Sequence, residues 1–433
     1  MEAITFDQLQ ETLYFEKLPN GLEVYVLPRK GFQKTYATFT TRYGSIDNDF
    51  QPPNGERTRV PDGIAHFLEH KMFEQEDGDV FNDFSEQGAS ANAYTSFERT
   101  AYLFSCTDRV PENLTTLINF VQDPYFTDEN VEKEKGIIAQ EIRMYDDNPD
   151  WRVYFGLIEA MFAAHPVRID IAGTVESISK ITKETLYACY ETFYHPSNML
   201  LFVVGAVDPE ETMRLVRDNQ AAKPYKDKGA IERFYPEEDA VVAEPLKEVQ
   251  LSVGIPKCLM GFKETGVHVK GDEYLKREFA TAIALEALFG QSSDLYQSLY
   301  DDGLIDQGFG FDYSLEEGYA FSMFGGDTND PDALLNRVKE ALAKPDALII
   351  DTAQFERLKR KKIGEFLRQL NSPEFIANQF TRYRFNAADL FRVVPVLEQL
   401  TLEDVQARLA DHVNAEQFCA SVVRPVANDA ATQ

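Results

Sequence analysis

The same order of elements occurs twice along the chain, on either side of a polar, proline-containing stretch at 223–247. Each half begins with strands of alternating apolar and polar residues, continues with amphipathic helices and a strand pair, and closes with helices and another strand. Such a pattern is typical of helices packed against a mainly antiparallel sheet. We therefore predict an α+β fold with two homologous domains, 1–222 and 248–433, joined by a linker at 223–247.

The N-terminal half carries the clearer local signals. "TLYFEKLPNGLEVYVLPR" alternates around Pro-Asn-Gly, which predicts a hairpin, and "TYATFTTRYGS", "ASANAYTSFERTAYLFSC" and "NMLLFVVGAV" predict further strands. Helices are predicted near 62–74, 78–88, 111–122, 128–147 and 182–193, and from Pro209 on. In the other half, "VQLSVGIPKCLMGF" and "FCASVVRP" predict strands, "IDQGFGFDYSLEEGYAFSMFGGDT" predicts a hairpin, and "DEYLKREFATAIALEALFG" and "SSDLYQSLYDDG" predict helices.

At 433 residues the chain exceeds the size of one ordinary core, which also favours two domains. Hydrophobic residues make up 44% of the sequence, enough to fill cores of that size. The formal net charge of −29 argues against nucleic acid as a partner, because such binding depends on Lys and Arg neutralising phosphates. The same charge leaves two roles open, attraction of basic peptides to a cavity or plain solubility.

The chain's cysteines, Cys106, Cys189, Cys258 and Cys419, are widely separated and form no C-x-x-C pair. A disulfide framework or a thiolate zinc site is therefore not expected, and a reducing compartment fits this usage. The first residues lack the apolar core of a secretory signal, and no run of about eighteen apolar residues occurs that could span a membrane. These features predict a cytoplasmic protein without a membrane partner.

The stretch "DGIAHFLEHKMFEQ" holds two of the chain's six histidines, His66 and His70, with Glu69 between them. A helix turns about 100° per residue, so His66 and His70 point about 40° apart and can bind one metal ion. A catalytic zinc has three protein ligands and an open position for water, and a free carboxylate beside it can take a proton as zinc-bound water attacks a carbonyl. H-x-x-E-H is the inverzincin pattern, although incidental histidines on a surface helix would look the same.

A third ligand is available in "TDENVEKEKGIIAQEIRMYDDNPDW". Thr127 can cap a helix there, and Pro149 is expected to mark its stop. Glu134 and Glu141 are seven residues apart, or two helical turns, so they share one face. One carboxylate can bind the metal while the other orients the ligands. The alternative is a solvated acidic face, the more common role of Glu.

These two motifs together resemble the hallmark of the pitrilysin, insulysin and mitochondrial processing peptidase family, which has H-x-x-E-H and, roughly seventy residues later, E-x6-E. "GASANAYTSFERTAY" is similar to the family's N-A-x-T-x-x-x-x-T segment, and "HPVRIDIAGTVESISKIT" and "FYHPSNMLLFVVGAVDPEE" resemble two further segments. The likeness is close over the N-terminal half and looser over the C-terminal half, where it rests on length, element order and "SSDLYQSL". The chain is most similar to half-size bacterial members encoded with a homologous sister protein.

The resemblance implies a role for each matching residue of the site. Three residues would bind one Zn²⁺ per chain: His66, His70 and Glu141. Glu69 would be the general base, and Glu134 would be a second catalytic carboxylate that supports the ligands without binding the metal. The resemblance further implies a clamshell-like half of a peptidase chamber that admits extended or unfolded peptides.

Three more residues would contact the substrate. Asn92 and Ala93, on an expected sheet edge, would hold the peptide as an added strand, although a half-buried strand explains their alternation equally well. Phe73 would line a pocket near the metal, although a Phe at that helical position is more often part of a core. The other histidines are expected to be structural or at the surface: His165, His195, His268 and His412.

One segment departs from the family pattern. Members of the family carry an Arg and, a few residues on, a Tyr that grip the substrate over the zinc, after the helix that matches "SSDLYQSLYDDGLIDQGF". Here Tyr300 stands at the Arg position and Asp306 near the Tyr position. The departure leaves open whether the chain is active as a homodimer or needs a homologous sister subunit that keeps both residues.

Three classes of function are therefore considered. A zinc endopeptidase is the leading prediction. A scaffold subunit of the same fold is the alternative, but such relatives typically lose the metal residues, which are all present here. S-ribosylhomocysteine lyase shares H-x-x-E-H, yet it resembles a single short domain with a Cys ligand, and neither Glu141 nor the length of 433 residues fits it.

Overall fold

The structure, a computed structural model, describes residues 1–225, 229–344 and 348–426, which fall into two units. Unit 1 comprises Met1–Ile142, Ile169–Tyr235 and Gln369–Phe385. Unit 2 comprises Arg143–Arg168, Pro236–Arg368 and the chain from Asn386 on. None of the helices in these ranges combines the length and the apolar character that a membrane crossing requires.

Most strands of unit 1 form one seven-stranded sheet. Its strands and the shorter ones beside it are β1 (Glu2–Phe6), β2 (Glu11–Lys17), β3 (Glu23–Pro28), β4 (Thr35–Thr41), β5 (Asp49–Gln51), β6 (Thr58–Arg59), β7 (Glu74–Gln75), β8 (Gly78–Asp79), β9 (Ser90–Thr95), β10 (Thr100–Cys106), β11 (Met199–Gly205) and β12 (Glu232–Arg233). The order in the large sheet is β1-β2-β3-β11-β4-β10-β9. Only β3 and β11 pair in parallel, and β9 lies at the end of the sheet.

Unit 2 is built on a five-stranded sheet. Its strands are β13 (Leu246–Leu251), β14 (Lys257–Val267), β15 (Gly310–Glu316), β16 (Gly318–Asp327) and β17 (Phe418–Pro425). They lie in the order β13-β17-β14-β16-β15, and only β13 and β17 pair in parallel. This order repeats β3-β11-β4-β10-β9 of unit 1, strand for strand and direction for direction. The predicted α+β fold with two homologous, mainly antiparallel sheets is confirmed.

Helices accompany both sheets. They are α1 (Ile64–Met72), α2 (Val80–Glu86), α3 (Val110–Val121), α4 (Asp128–Asp146), α5 (Pro149–Met161), α6 (Val175–Ile178), α7 (Lys183–Phe193), α8 (Pro209–Ala221), α9 (Asp272–Phe289), α10 (Asp294–Asp301), α11 (Pro331–Leu342), α12 (Thr352–Gln369), α13 (Pro373–Phe385), α14 (Val393–Gln399) and α15 (Leu402–His412). Short 3-10 turns lie at Pro166–Arg168, Pro196–Asn198, Leu390–Arg392 and Ala415–Gln417. The helices predicted in the N-terminal half match α1, α2, α3, α4, α7 and α8.

Two helices, α5 and α13, each belong to the unit whose other residues come mainly from the opposite half of the sequence. α5 packs on β13, β14 and β17 of unit 2, whereas α13 packs on β4 and β11 of unit 1. Each buries an apolar face there, with Phe155 and Leu157 on α5 and Ile376 and Phe380 on α13. Because of these two helices, neither unit corresponds to one contiguous range of the sequence. The boundaries at 1–222, 223–247 and 248–433 stay a prediction.

The junction between α4 and α5 corrects one local expectation. Thr127 caps α4 as predicted, because its hydroxyl accepts a hydrogen bond from the Asn130 amide at 3.1 Å. α4 ends at Asp146, shortly before Pro149, as predicted. Pro149 is also the first residue of the next helix, α5. Asn148 caps that new helix by accepting from the amides of Asp150 and Trp151. Proline suits the first turn of a helix because it needs no amide donor there.

Candidate metal centre

The helix α1 is held in place by its apolar side. Ile64, Phe67 and Leu68 are fully buried in the core of unit 1, which leaves His66 and His70 on the remaining face. Gly63 precedes the helix with φ +86°, and a Cβ there would lie 2.3 Å from the carbonyl oxygen of Ala172. The helix can therefore begin in this close contact only with glycine.

The structure brings His66, His70 and Glu141 together. The Nε2 atom of His66 lies 3.7 Å from one carboxylate oxygen of Glu141, and Nε2 of His70 lies 3.6 Å from the other. One donor atom from each residue falls within 4.8 Å of the other two. Glu141 reaches the histidines from α4, the helix on which sequence spacing placed it.

This donor set fits zinc. Two donors that each lie about 2.0–2.1 Å from one tetrahedral zinc ion are about 3.3 Å apart, close to the 3.7 and 3.6 Å between Glu141 and the two histidines. Burial, together with the neighbouring His70, lowers the pKa of His66 to about 3, so its imidazole is neutral at physiological pH, the form that binds metals. Burial also acts to lower the pKa of His70, but its bond to Glu134 and nearby carboxylates raise it overall. A cation in this position would balance those carboxylates.

Glu134 contacts His70 and lies outside the donor set. Its Oε1 atom lies 3.1 Å from Nδ1 of His70, the ring nitrogen that points away from Glu141. Such a carboxylate fixes the tautomer and the ring orientation of a metal-binding histidine. The corresponding Nδ1 of His66 is buried and has no hydrogen-bond partner among the described residues.

Lys71 is a part of the site that the sequence analysis missed. Its side chain is 0% exposed, its ammonium forms an ion pair with Glu74, and the same nitrogen lies 3.8 Å from Oε2 of Glu134. A buried lysine requires anionic partners, because an unpaired charge in a core is costly. Lys71 therefore compensates the charge of the carboxylate that contacts His70.

Glu69 lies beside the donor set and has its own partner. Thr95 donates a hydrogen bond from Oγ1 to Oε2 of Glu69 at 2.6 Å. Burial raises the pKa of Glu69, while the Thr95 bond and His70 oppose the shift. Thr95 and Thr100 are the two threonines of the N-A-x-T-x-x-x-x-T segment, so the sequence marked the residue but not its contact with Glu69.

A cavity of about 750 Å³ opens next to Glu69 and His70. Asn92 and Ala93 line it from β9, and Phe73 lines it from the end of α1. All three predicted substrate residues thus border the cavity. Phe73 also stacks in the core, with its ring centroid 5.1 Å from that of Phe120, so the two interpretations of this residue are not exclusive.

The remaining sequence candidates lie elsewhere. Tyr300 on α10 is 43% exposed, and Asp306 accepts a hydrogen bond from the Gly308 amide at 2.7 Å. Both belong to unit 2, and the role inferred from their departure stays a prediction. Of the other histidines, His268 is exposed and the remainder are buried: His165, His195 and His412.

Comparison with known proteins gives two family matches. Residues 55–175 match the family described as "Insulinase (Peptidase family M16)", and residues 180–362 match "Peptidase M16 inactive domain". The curated protein "Uncharacterized zinc protease YmfH" of Bacillus subtilis (strain 168) is 59% identical over 426 residues, covering 98% of this chain and 99% of that protein.

Solved structures agree with these matches. The crystal structure of an M16-like peptidase from Alicyclobacillus acidocaldarius has a TM-score of 0.93 at 44% identity and covers 96% of this chain and 99% of that one. A protease from Helicobacter pylori has a TM-score of 0.81 at 20% identity, with 95% and 99% covered. At that lower identity the likeness shows the fold alone.

Proposed function

The chain belongs to the insulinase family of peptidases, M16, and from this premise we propose that it is a zinc-dependent endopeptidase that cleaves extended or unfolded peptides. The observation that carries the proposal is the placement of a buried carboxylate outside the donor set, Glu69, beside three donor atoms within 4.8 Å of one another. Family and relatives' names alone leave activity open, because the family also contains inactive domains.

In this mechanism His66, His70 and Glu141 would hold the metal. Bound zinc supplies a Lewis acid that polarises a carbonyl and makes water acidic. Glu69 accepts the proton of the attacking water at its carboxylate and passes it to the leaving amine. The raised pKa of Glu69, caused by burial, suits a group that must both take and return a proton. Thr95 keeps this carboxylate in one position, and Glu134 keeps the ring of His70 in one tautomer.

The substrate is proposed to bind as an added strand along β9. β9 ends the sheet and carries Asn92 and Ala93 beside the cavity, so its free edge offers backbone donors and acceptors to an extended chain. Backbone pairing does not depend on side chains, which favours broad specificity for unstructured peptides. A stably folded protein should resist cleavage while its unfolded form is cut.

The proposal is tested by separating metal binding from chemistry. His70→Ala and Glu141→Ala should lose zinc in elemental analysis, whereas Glu69→Gln should keep it and lose hydrolysis of a fluorogenic peptide by orders of magnitude. His268→Ala, at an exposed histidine, is the matched control and should change neither quantity. Full zinc in both ligand variants, or near wild-type hydrolysis by Glu69→Gln, would contradict the assignment.

A weakly active subunit that requires a sister is the second candidate, favoured by Tyr300 and Asp306. A homologue that keeps Arg and Tyr at those positions would restore the grip on the substrate. The comparison is peptidase activity at fixed zinc for the chain alone and for the chain with the co-purifying homologue. Full, saturable activity that the homologue leaves unchanged would favour a self-sufficient homodimer.

A cytoplasmic location is proposed as well, supported by four free, buried cysteines.

A further inference from the structure

The strand proposed to hold the substrate, β9, is only partly packed against the core. None of its six residues is buried, whereas every residue of β4 in the same sheet is. β9 also lies at the end of the sheet, where β10 pairs with it on one side and the other edge is left for a peptide. Segments with few buried contacts open more readily than the rest of a fold. The position of β9 therefore depends on particular side-chain contacts.

Two hydrogen bonds hold consecutive residues of β9 from opposite faces of the sheet. On one face, Thr95 bonds Glu69 of α1 at 2.6 Å. Tyr94 points to the other face, because side chains alternate along a strand, and its hydroxyl donates to Oδ1 of Asn378 at 3.1 Å. Asn378 lies on α13, 284 positions further along the chain but in the same unit. Tyr94 is thus held between the partner of Glu69 and Ala93, which borders the cavity.

α13 is itself held against the sheet. Its buried side chains pack on β4 and β11, and Arg384 near its end forms an ion pair with Glu23 of β3, with 3.0 Å between Nε and Oε2. The Nδ2 atom of Asn378 donates a hydrogen bond to the hydroxyl of Tyr36 on β4 at 3.3 Å. The amide of Asn378 thus has a partner at each end, which fixes its orientation. Through this amide, Tyr94 at the edge of the sheet is connected to an inner strand.

We propose that Asn378 and Tyr94 are positioning residues for peptide binding: their hydrogen bond, called here the outer brace, holds β9 where an added peptide strand lies beside Glu69. The inference rests on the proposed peptidase function and concerns how the same site holds its substrate. Neither residue is among the described residues that line the cavity, so both act through β9 and not by contact with the peptide. A misplacement of about 1 Å in a site can lower a rate by about 100-fold, so a small shift of β9 is costly.

The first test follows β9 itself, by hydrogen–deuterium exchange of the full chain without substrate. Asn378→Leu keeps the size of the side chain and removes both of its hydrogen bonds. Loss of one hydrogen bond changes an equilibrium constant by about 2- to 13-fold, so the amides of β9 should exchange faster by about that factor, while β3 and β11 keep their rates. Tyr94→Phe should have the same effect. Asn378→Asp still accepts a hydrogen bond from Tyr94 and should stay close to wild type.

The second test measures binding without catalysis, by titrating an extended fluorescent peptide into the Glu69→Gln variant with and without the outer brace. Binding must order β9 once the brace is lost, so Kd should rise by up to the same factor. Arg384→Met is the matched control, because it removes a contact between the same helix and β3. It should change neither the exchange of β9 nor Kd, which separates loss of the brace from a general loosening of α13.

Unchanged exchange of β9 in Asn378→Leu, an unchanged Kd, no binding of the peptide, or an equal effect of Arg384→Met would each overturn the inference. If Asn378→Leu does not fold, Tyr94→Phe, which removes a single hydroxyl, decides the question. Hydrolysis is scored separately, in the zinc-loaded wild-type protein. Absence of hydrolysis there would overturn the proposed function, whereas exchange and binding report on the outer brace without it, so the two failures are distinguishable.

Discussion

Replacing Thr95 with Val exchanges a hydroxyl for a methyl group of similar size and removes the hydrogen bond to Glu69. That bond is 2.6 Å long and ends on a buried carboxylate. A hydrogen bond to a charged group contributes about 1.5–3 kcal/mol, so its loss from the transition state should lower kcat/KM by about 10- to 150-fold. Zinc content should not change, because Thr95 contributes no donor to the metal group.

The same substitution should shift the pH dependence of the rate. Burial already raises the pKa of Glu69, and the Thr95 bond opposes that shift because it favours the ionised carboxylate. Without the bond the pKa of Glu69 rises further. Glu69 acts as a base only when ionised. The Thr95→Val variant should therefore lose activity at acidic pH and recover part of it as the pH rises.

The assay is hydrolysis of one fluorogenic peptide as a function of pH at saturating zinc. Thr95→Ser keeps the hydroxyl and should stay close to wild type. Thr115→Val on α3 removes an exposed hydroxyl that bonds the Pro111 carbonyl and serves as the control for a Thr-to-Val change. If Thr95→Val matched wild type in both rate and pH profile, the view that Thr95 holds Glu69 would be wrong.

Three other outcomes are expected. Glu134→Gln should weaken zinc binding by about 10- to 100-fold in a chelator titration, because His70 loses its anionic partner; a loss as complete as that of Glu141→Gln would make Glu134 a ligand. Lys71→Met should lower the free energy of unfolding in urea by about 3 kcal/mol, because Glu134 loses a buried cation. Lys135→Met, in a pair with the exposed Glu132, should cost about 0.5 kcal/mol, and equal losses would contradict the role of Lys71. Burial lowers the pKa of His165 to about 4, below about 6.5 in the unfolded chain. The neutral form of His165 therefore contributes up to about 3 kcal/mol to the free energy of unfolding. This contribution is fully present above about pH 6.5 and is lost as the pH falls towards 4. His165→Gln should flatten the curve of unfolding free energy against pH, and an unchanged slope would refute this account.

Much of the metal centre could be predicted because its geometry is local. His66, Glu69 and His70 lie within five residues, and helix periodicity alone sets their relative directions. Helix periodicity also placed Glu134 and Glu141, seven residues apart, on one face of a helix. The strands and their repeated order were also readable, because alternation of apolar and polar residues reflects one buried face of a sheet.

The contacts of Lys71 and Thr95 were not predicted. Lys71 lies in the central motif but looks like a solvated lysine, since nothing local shows that its side chain is 0% exposed and faces Glu134 from α4. Thr95 meets Glu69 because β9 packs against α1. Such contacts depend on how distant elements pack.

The placement of α5 and α13 depends on packing in the same way. Each helix has an apolar face that would suit either sheet, and periodicity does not identify which sheet covers it. The choice follows from the fit of whole surfaces, such as Phe380 of α13 against Tyr25 and Phe202 in unit 1, with ring centroids 4.8 and 4.7 Å apart. A helix's pattern states that one side must be buried, and only the surrounding fold supplies the partner that buries it.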